Sequence, residues 1–407
     1  MRELSGPLHS LTTEETPRQP DADGATPRNG QNGYRKKEEV EMRKFAKAAA
    51  ALVVVSALAL SGCGSGRTDS GASGTPSAAG FAKDAVIGVA LPQKTSENWV
   101  LAEGLFNDGL KAAGFTPSVQ FANGGVTEQQ NQISAMIEKG AKVLIVGAID
   151  GSQLGTQLDA AKKAGITVIA YDRLLTNTPN VDYYVAFDNY KVGVLQGQAL
   201  LQGLAARKGT KTKWNIELIA GSPDDSNAKV FFDGAMSVLQ PKIADGTLTV
   251  LSKQTSFEQV VTQGWKAENA QKRMDTVLSG FYQSAELDGI LSPNDTLARA
   301  AMASIAAANK PLPVVTGQDS EVESVKSIMA GQQYSTIFKD TNKLVAQSIV
   351  MAQALQQGKT PEVNDTKSYN NGVKVVPSYL LPPVIVTKDN AAQVYANDKT
   401  LGPLTKG

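Results

Sequence analysis

The sequence predicts an α/β protein with two lobes, each built on a doubly wound parallel sheet. From residue 85 onward, short apolar runs alternate with segments of helical apolar spacing, which is typical of βαβ units. About ten strand candidates occur, and a typical sheet has about four to six strands, so two sheets are expected. The length of 407 residues also suits more than one domain.

The strand candidates are apolar runs of six to eight residues. They are 85–92, 118–123, 142–148, 166–172, 183–188, 215–221, 247–254, 288–294, 313–319 and 334–339. Between most of them lie segments with apolar residues every three or four positions, as in 99–114 and 296–310. This alternation predicts parallel strands joined by helices that cover both faces of each sheet.

Composition removes several classes of catalytic and metal site. The only histidine is His9 and the only cysteine is Cys63. The rest of the chain therefore lacks the residues for Ser-His-Asp or Cys-His catalysis, for His/Cys zinc sites and for disulfides. It has no P-loop, and no G-x-G-x-x-G follows a strand. We expect no catalytic residue, no metal site and no cofactor.

The charge balance argues against nucleic acid as a partner. The chain has 40 Lys and Arg against 39 Asp and Glu, and no block of like charges marks a basic or acidic tail.

The first eighty residues are interpreted as targeting and linker segments. Met42 begins an export signal: basic residues at 43, 44 and 47 are followed by the 13-residue apolar run AAAALVVVSALAL. This run is typical of a signal peptide and is short for a membrane span. We therefore expect translation to start at Met42, with a signal peptide at 42–62 and an upstream extension at 1–41.

The tetrapeptide Leu60-Ser61-Gly62-Cys63 follows this signal directly and resembles the bacterial lipobox. The resemblance implies that Cys63 carries the lipid and becomes the mature N-terminus. Residues 63–81 then form a lipidated, Gly- and Ser-rich linker. The expected location is extracytoplasmic, either anchored by lipid alone to the outer face of the cell membrane or periplasmic.

Polar residues follow one predicted strand after another. Asp172 and Arg173 end the run ITVIAY, and Asn294, Asp319 and Lys339 stand at later strand ends. A single Asp or Asn in this place is most often a helix cap. In open α/β sheets, however, ligands bind at the carboxyl ends of the strands. The recurrence, together with cations that capping does not require, predicts a polar binding cleft between the lobes.

Several segments carry a family likeness, in the same order along the chain, from about residue 85 to about residue 390. They are KVLIV, GITVIAYDRL, AFDNYKVGVLQ, AGSPDDSNA, SPND, TGQDSEVESVKSI, YSTIFKD and GVKVVPSYLL. The chain resembles the multiple-monosaccharide-binding proteins of bacterial ABC sugar importers. These are similar to xylose- and ribose-binding proteins and have the type 1 periplasmic binding protein fold.

The resemblance implies two lobes joined by a three-strand hinge. The predicted lobes are 82–189 plus 341–380 and 190–340 plus 381–407. The implied function is capture of a monosaccharide of the xylose, glucose, galactose or arabinose type. Delivery to a permease with a separate ATPase would follow, with chemosensing as a further role. A monomer is expected.

The resemblance also implies the residues that contact the sugar. Two tryptophans would cover its faces, and polar residues would bind its hydroxyls, since a pyranose has C–H faces and a hydroxyl rim. The tryptophans are Trp99 and Trp265; the hydroxyl partners are Asp172, Arg173, Asn227, Asn294, Asp319 and Lys339, with Lys94 as a looser match. Asn98 and Ser226 depart from the family pattern. Trp214 is interpreted as core packing.

Three other functions are weighed. A carbohydrate-active enzyme could use Asp172 and Asp319 as its acid pair, but nearby cations should favour ionised acceptors over an acid of raised pKa. A calcium site at the carboxylates of SPDD is weak, because the sequence has no EF-hand loop. A sugar-responsive repressor would need an N-terminal DNA-binding module, and the chain has the predicted signal peptide there instead.

Overall fold

The computed structural model describes residues 80–207 and 210–406. The predicted upstream extension, signal peptide, lipidated Cys63 and most of the linker lie outside the described residues. Within the described ranges, none of the helices combines the length and the apolar character that crossing a membrane requires.

Twelve strands are found in the described part of the chain. In chain order they are β1 (Val86–Leu91), β2 (Thr116–Phe121), β3 (Val143–Val146), β4 (Thr167–Tyr171), β5 (Tyr183–Phe187), β6 (Trp214–Leu218), β7 (Leu248–Thr249), β8 (Gly289–Leu291), β9 (Val314–Val315), β10 (Ser335–Phe338), β11 (Ser378–Leu381) and β12 (Val384–Thr387). All ten predicted strands are present, several of them shorter than the apolar run that indicated them. The sequence pattern did not reveal β11 and β12.

Eleven α-helices accompany these strands among the described residues. They are α1 (Glu97–Ala112), α2 (Val126–Glu138), α3 (Gly155–Lys163), α4 (Asn189–Arg207), α5 (Ser226–Ala244), α6 (Phe257–Val260), α7 (Ala267–Phe281), α8 (Asp295–Ala307), α9 (Val322–Met329), α10 (Thr341–Gln356) and α11 (Ala391–Val394).

The first half of the molecule is a six-stranded parallel sheet in the order β11-β5-β4-β3-β1-β2. Helices α1 and α10 pack together over one buried core, which includes Phe106 and Val345. Helices α2 and α3 cover a second core, with Ile133 and Leu158. Both faces of the sheet are therefore buried, as its continuous apolar strands predict. We call this part the six-stranded half.

The second half contains a four-stranded parallel sheet in the order β7-β6-β8-β9. Helix α4 packs on α5, and α7 packs on α8. A two-stranded antiparallel sheet of β10 and β12 stands beside it. The expectation of parallel pairing for β10 is therefore wrong, because its partner β12 runs back in the opposite direction. We call the two smaller sheets with α4, α5, α7, α8 and α9 the four-stranded half.

The chain crosses between the halves three times. The crossings lie between β5 and α4, between β10 and α10, and between β11 and β12. Two of them are adjacent, since the Asp188 backbone N–H donates to the Leu381 carbonyl at 3.1 Å. The fold class, with parallel α/β sheets and a three-strand connection, is confirmed. The residue bounds of the two lobes stay a prediction.

Helix α5 is held in place by close contact with α4. A Cβ atom on Gly193 of α4 would lie 2.0 Å from the Phe231 carbonyl oxygen of α5. Only glycine permits this approach of the two backbones. The contact fixes the N-terminal turns of α5, which carry Asn227 and Phe231.

Candidate functional site

A cavity lies between the two halves, at the carboxyl ends of strands from both sheets. Eight of the nine predicted sugar-contacting residues line it: Trp99, Asp172, Arg173, Asn227, Trp265, Asn294, Asp319 and Lys339. Its volume is about 30 Å³, which is space for about two water molecules. Small-molecule sites measure about 300–1,000 Å³, so this cavity is smaller than a sugar site, and a wider groove of about 700 Å³ adjoins it at Asn98, Asp319 and Lys339.

The ammonium of Lys339 bridges carboxylates from both halves. Its Nζ lies 3.6 Å from Asp172 Oδ2 and 3.2 Å from Asp319 Oδ1. Asp172 directly follows β4 of the six-stranded half, whereas Lys339 follows β10 and Asp319 precedes it in the four-stranded half. Burial lowers the pKa of Lys339, but the two carboxylates outweigh burial and the pKa lies above its usual value. This residue is therefore a buried cation.

Arg173 and Asp225 form a second ion pair across the cleft. The Arg173 Nε lies 3.0 Å from Asp225 Oδ2, and its Nη1 donates to the Ala148 carbonyl at 2.9 Å. Asp225 is also the N-cap of α5, because its Oδ1 accepts the Asn227 backbone N–H at 2.9 Å. The Asp225 side chain therefore caps α5, pairs with Arg173 and forms part of the cavity wall.

Burial raises the pKa of two site carboxyls by more than the neighbouring cations lower it. It raises the pKa of Asp319, although the neighbouring Lys339 charge lowers it in part. It also raises the pKa of Asp225, against the opposing effect of Arg173. The expectation that nearby cations would keep the Asp319 pKa low is wrong, because desolvation is the larger effect here.

The two tryptophans line the cavity from opposite halves and also pack into the cores. Trp99 meets Tyr171 edge-on at 6.1 Å between ring centroids, and the Arg173 guanidinium carbon lies 5.3 Å from its ring centroid. The Trp265 indole N–H donates to Asp225 Oδ2 at 3.1 Å. A Cβ on Gly221 would come within 2.2 Å of the Trp265 ring. Core packing therefore fixes both rings at the cavity wall.

The two predicted amides have different local roles. Asn227 Nδ2 donates across the cleft to the Asp172 carbonyl at 2.8 Å, and its Oδ1 accepts from Asn189 Nδ2 at 2.9 Å. Asn294 is the N-cap of α8, where its Oδ1 accepts the Leu297 backbone N–H at 2.9 Å. The capping interpretation therefore holds for Asn294, which lines the cavity as well.

Backbone strain is concentrated around this cavity. Asp172, Trp265 and Asp319 have positive φ angles of 61°, 54° and 92°, and the neighbouring Ser320 has 56°. Such conformations cost about 1–3 kcal/mol each in non-glycine residues and persist only where the surroundings enforce them. The fold therefore holds these three side chains in place at an energetic cost.

Lys94 is the predicted residue that the structure places elsewhere. Its side chain is exposed, with Nζ 3.3 Å from Glu103 Oε2 and 4.4 Å from the Phe121 ring centroid. It does not line the cavity. Contact between Lys94 and a sugar stays a prediction without support from this arrangement.

Six further residues line the cavity and were not among the predicted sugar-contacting residues: Thr95, Ser96, Asn98, Asp225, Phe231 and Gln318. Two of them had a signal in the sequence. Phe231 follows Asn227 by four positions and so lies on the same helix face. Asp225 stands directly before α5, which begins at Ser226, and a cap is expected in this position.

No group of three or more His, Cys, Asp or Glu side chains suited to a metal ion is found in 80–207 and 210–406.

Replacement of Asp225 tests the linked roles of this residue. We expect Asp225→Ala to lower the free energy of unfolding by about 3–5 kcal/mol, because it leaves the buried Arg173 charge without its partner. The matched control is Asp340→Ala, which removes the cap of α10, where Asp340 accepts the Asn342 N–H. Cap loss alone costs about 0.5–2 kcal/mol. Equal losses in urea unfolding would contradict the role of the ion pair.

Comparison with known proteins agrees with the fold and with the family resemblance. Residues 87–360 match the periplasmic binding protein domain family. The multiple sugar-binding periplasmic receptor ChvE of Rhizobium radiobacter is 49% identical over 320 residues, which cover 77% of this chain and 90% of that protein. The D-xylose-binding periplasmic protein of Escherichia coli is 34% identical over 321 residues, 79% of this chain and 92% of that protein.

A solved structure of a related protein has the same fold. The ABC transporter solute binding protein from Clostridium phytofermentans, crystallised with bound β-D-glucose, superposes with a TM-score of 0.75 at 40% identity. The match covers 79% of this chain and 100% of that chain. The resemblance stated from the sequence is confirmed, and the chain belongs to the periplasmic binding protein family.

Proposed function

We propose that this protein is an extracytoplasmic solute-binding protein for an ABC importer. It captures a monosaccharide of the xylose, glucose, galactose or arabinose type between its halves. The observation that carries this proposal is the cavity itself, in which two tryptophans and an alternating set of carboxylates and cations come from both halves. The sugar receptors among its relatives support the same ligand class.

The cavity chemistry suits a neutral polyol. Asp172, Asp225 and Asp319 face the two cations Arg173 and Lys339, so the charges almost cancel. Each hydroxyl of a sugar both donates and accepts. A hydroxyl can therefore insert between an ammonium and a carboxylate and leave both satisfied. Bonds to charged partners are about twice as strong as neutral ones, which favours this exchange.

Capture requires a change in the distance between the halves. The present cavity of about 30 Å³ is far below the volume of a small-molecule site. We propose that the halves open about the three crossing segments and that the sugar favours closure, because its partners lie on both sides. The membrane permease would recognise the closed form, and a separate ATPase would supply the energy.

This proposal includes no catalytic step. The enzyme alternative would use Asp172 and Asp319, but both carboxylates form ion pairs with the same Lys339 ammonium. Two glycosidase carboxyls must instead flank the scissile bond. Recovery of unaltered sugar after incubation tests this point, and release of a hydrolysis product would contradict it.

Sugar binding is tested by calorimetric titration with D-xylose, D-glucose, D-galactose and L-arabinose. We expect Trp99→Ala and Trp265→Ala each to weaken binding by about 1–3 kcal/mol through lost burial and stacking. Arg173→Ala should cost about 2–4 kcal/mol, because it leaves partners unpaired. Trp214→Ala is the matched control, since Trp214 does not line the cavity.

Two outcomes of this titration would contradict the proposal. The first is the absence of binding to every sugar by the unmodified protein. The second is an unchanged dissociation constant in folded Trp99 and Trp265 variants, which would place the site elsewhere.

We also propose that Cys63 carries a lipid that holds the protein at the membrane surface. The lipobox at Leu60–Cys63 after the apolar run supports this. Wild-type protein should fractionate with membranes and incorporate labelled fatty acid, whereas Cys63→Ser should do neither. The control Ser65→Ala should behave as wild type. Equal membrane association of the Cys63 variant would overturn the anchor.

A further inference from the structure

Glu97 makes a bond between the two halves outside the cavity. Its Oε2 accepts the backbone N–H of Val322 at 2.8 Å. Glu97 begins α1, which packs against β1, β2 and α10 of the six-stranded half. Val322 begins α9, which packs against α8 and β10 of the four-stranded half. The bond therefore forms only when the two halves are together.

The N-terminus of α9 is capped only in part from its own half, where Asp295 Oδ2 accepts the Glu321 backbone N–H at 3.0 Å. The first backbone N–H groups of a helix lack intrahelical partners. Glu321 occupies the cap position of α9 but makes no side-chain cap bond. Its carboxylate is instead bonded to Arg299 at 2.5 Å and to the Thr296 hydroxyl at 2.8 Å. Glu97 of the six-stranded half therefore supplies the hydrogen-bond acceptor for α9 that the Glu321 side chain does not supply.

We propose that Glu97 is a positioning residue that stabilises the closed arrangement without contacting the sugar. It does not line the cavity of about 30 Å³, although it faces a wider groove of about 700 Å³ that shares Asn98, Asp319 and Lys339 with that cavity. Its carboxylate bonds to the positive end of the α9 dipole, which favours an anion. This inference rests on the proposed function, since it concerns closure around that same ligand. Opening of the halves breaks the bond and leaves the Val322 N–H to water.

A contact made only in the closed form changes the affinity for every ligand that closes the protein by the same factor. The expected effect of Glu97→Ala is therefore a uniform loss of affinity across sugars, with their order of preference unchanged. An exposed carboxylate at a helix N-terminus contributes enough to change a dissociation constant about two- to fivefold. Salt screens such an exposed charge, so the effect should shrink at high ionic strength.

The experiment compares the full protein with Glu97→Ala, Glu97→Gln and Glu268→Ala. Glu268 is a matched control, because it is also an exposed first-turn glutamate, in α7. Calorimetry with D-xylose, D-glucose, D-galactose and L-arabinose is run at low and at high salt. Stopped-flow tryptophan fluorescence supplies dissociation rates.

We expect Glu97→Ala to lower the affinity for each sugar by one common factor of about two to five at low salt, through faster dissociation. Glu97→Gln should lie between it and wild type, and Glu268→Ala should match wild type. A changed order of sugars, or equal affinities of Glu97→Ala and Glu268→Ala, overturns the inference and leaves the proposed function intact. Absence of sugar binding by the unmodified protein overturns both.

Discussion

The site depends on one buried cation. The Lys339 ammonium lies among Asp172, Asp319 and the Phe231 ring, with its Nζ 5.6 Å from that ring centroid. A buried charge left without a partner costs about 3–5 kcal/mol, so the strand ends of both sheets must meet around it. Lys339 also lies in the crossing segment between β10 and α10. The same residue therefore belongs both to a connection between the halves and to the cavity wall.

The rest of the site supports this arrangement. Asp172 and Asp319 reach Lys339 from strained backbone conformations, and a strained backbone is tolerated where the surrounding packing enforces it. Asp225 holds Arg173 and the Trp265 indole while it caps α5. These contacts pair the charges of the cavity with one another, although Arg173 Nε, Asp319 Oδ1 and Gln318 Oε1 make no hydrogen bond. A sugar that enters must therefore replace protein partners with hydroxyls of equal quality, which explains how such a site selects polyols.

The sequence predicted local features well and long-range ones poorly. Apolar runs located ten of the twelve strands in the described residues, because a continuous run is visible in one segment. The strands β11 and β12 were not predicted; they are short runs, SYLL and VIVT, separated only by Pro382 and Pro383. Polar strand ends identified Asp172, Arg173 and Lys339. Asp225 was missed because its importance arises from Arg173, which lies far away in the chain and meets it only in the folded protein.

The central claim is that residues from both halves close around one sugar. Small-angle X-ray scattering of the protein, with and without saturating monosaccharide, tests it most directly. The sugar should be one that calorimetry shows to bind. We predict a smaller radius of gyration with the sugar, because the sugar bonds to residues of both halves and so favours their closed arrangement over the open one. Tight binding with an unchanged radius of gyration would contradict it.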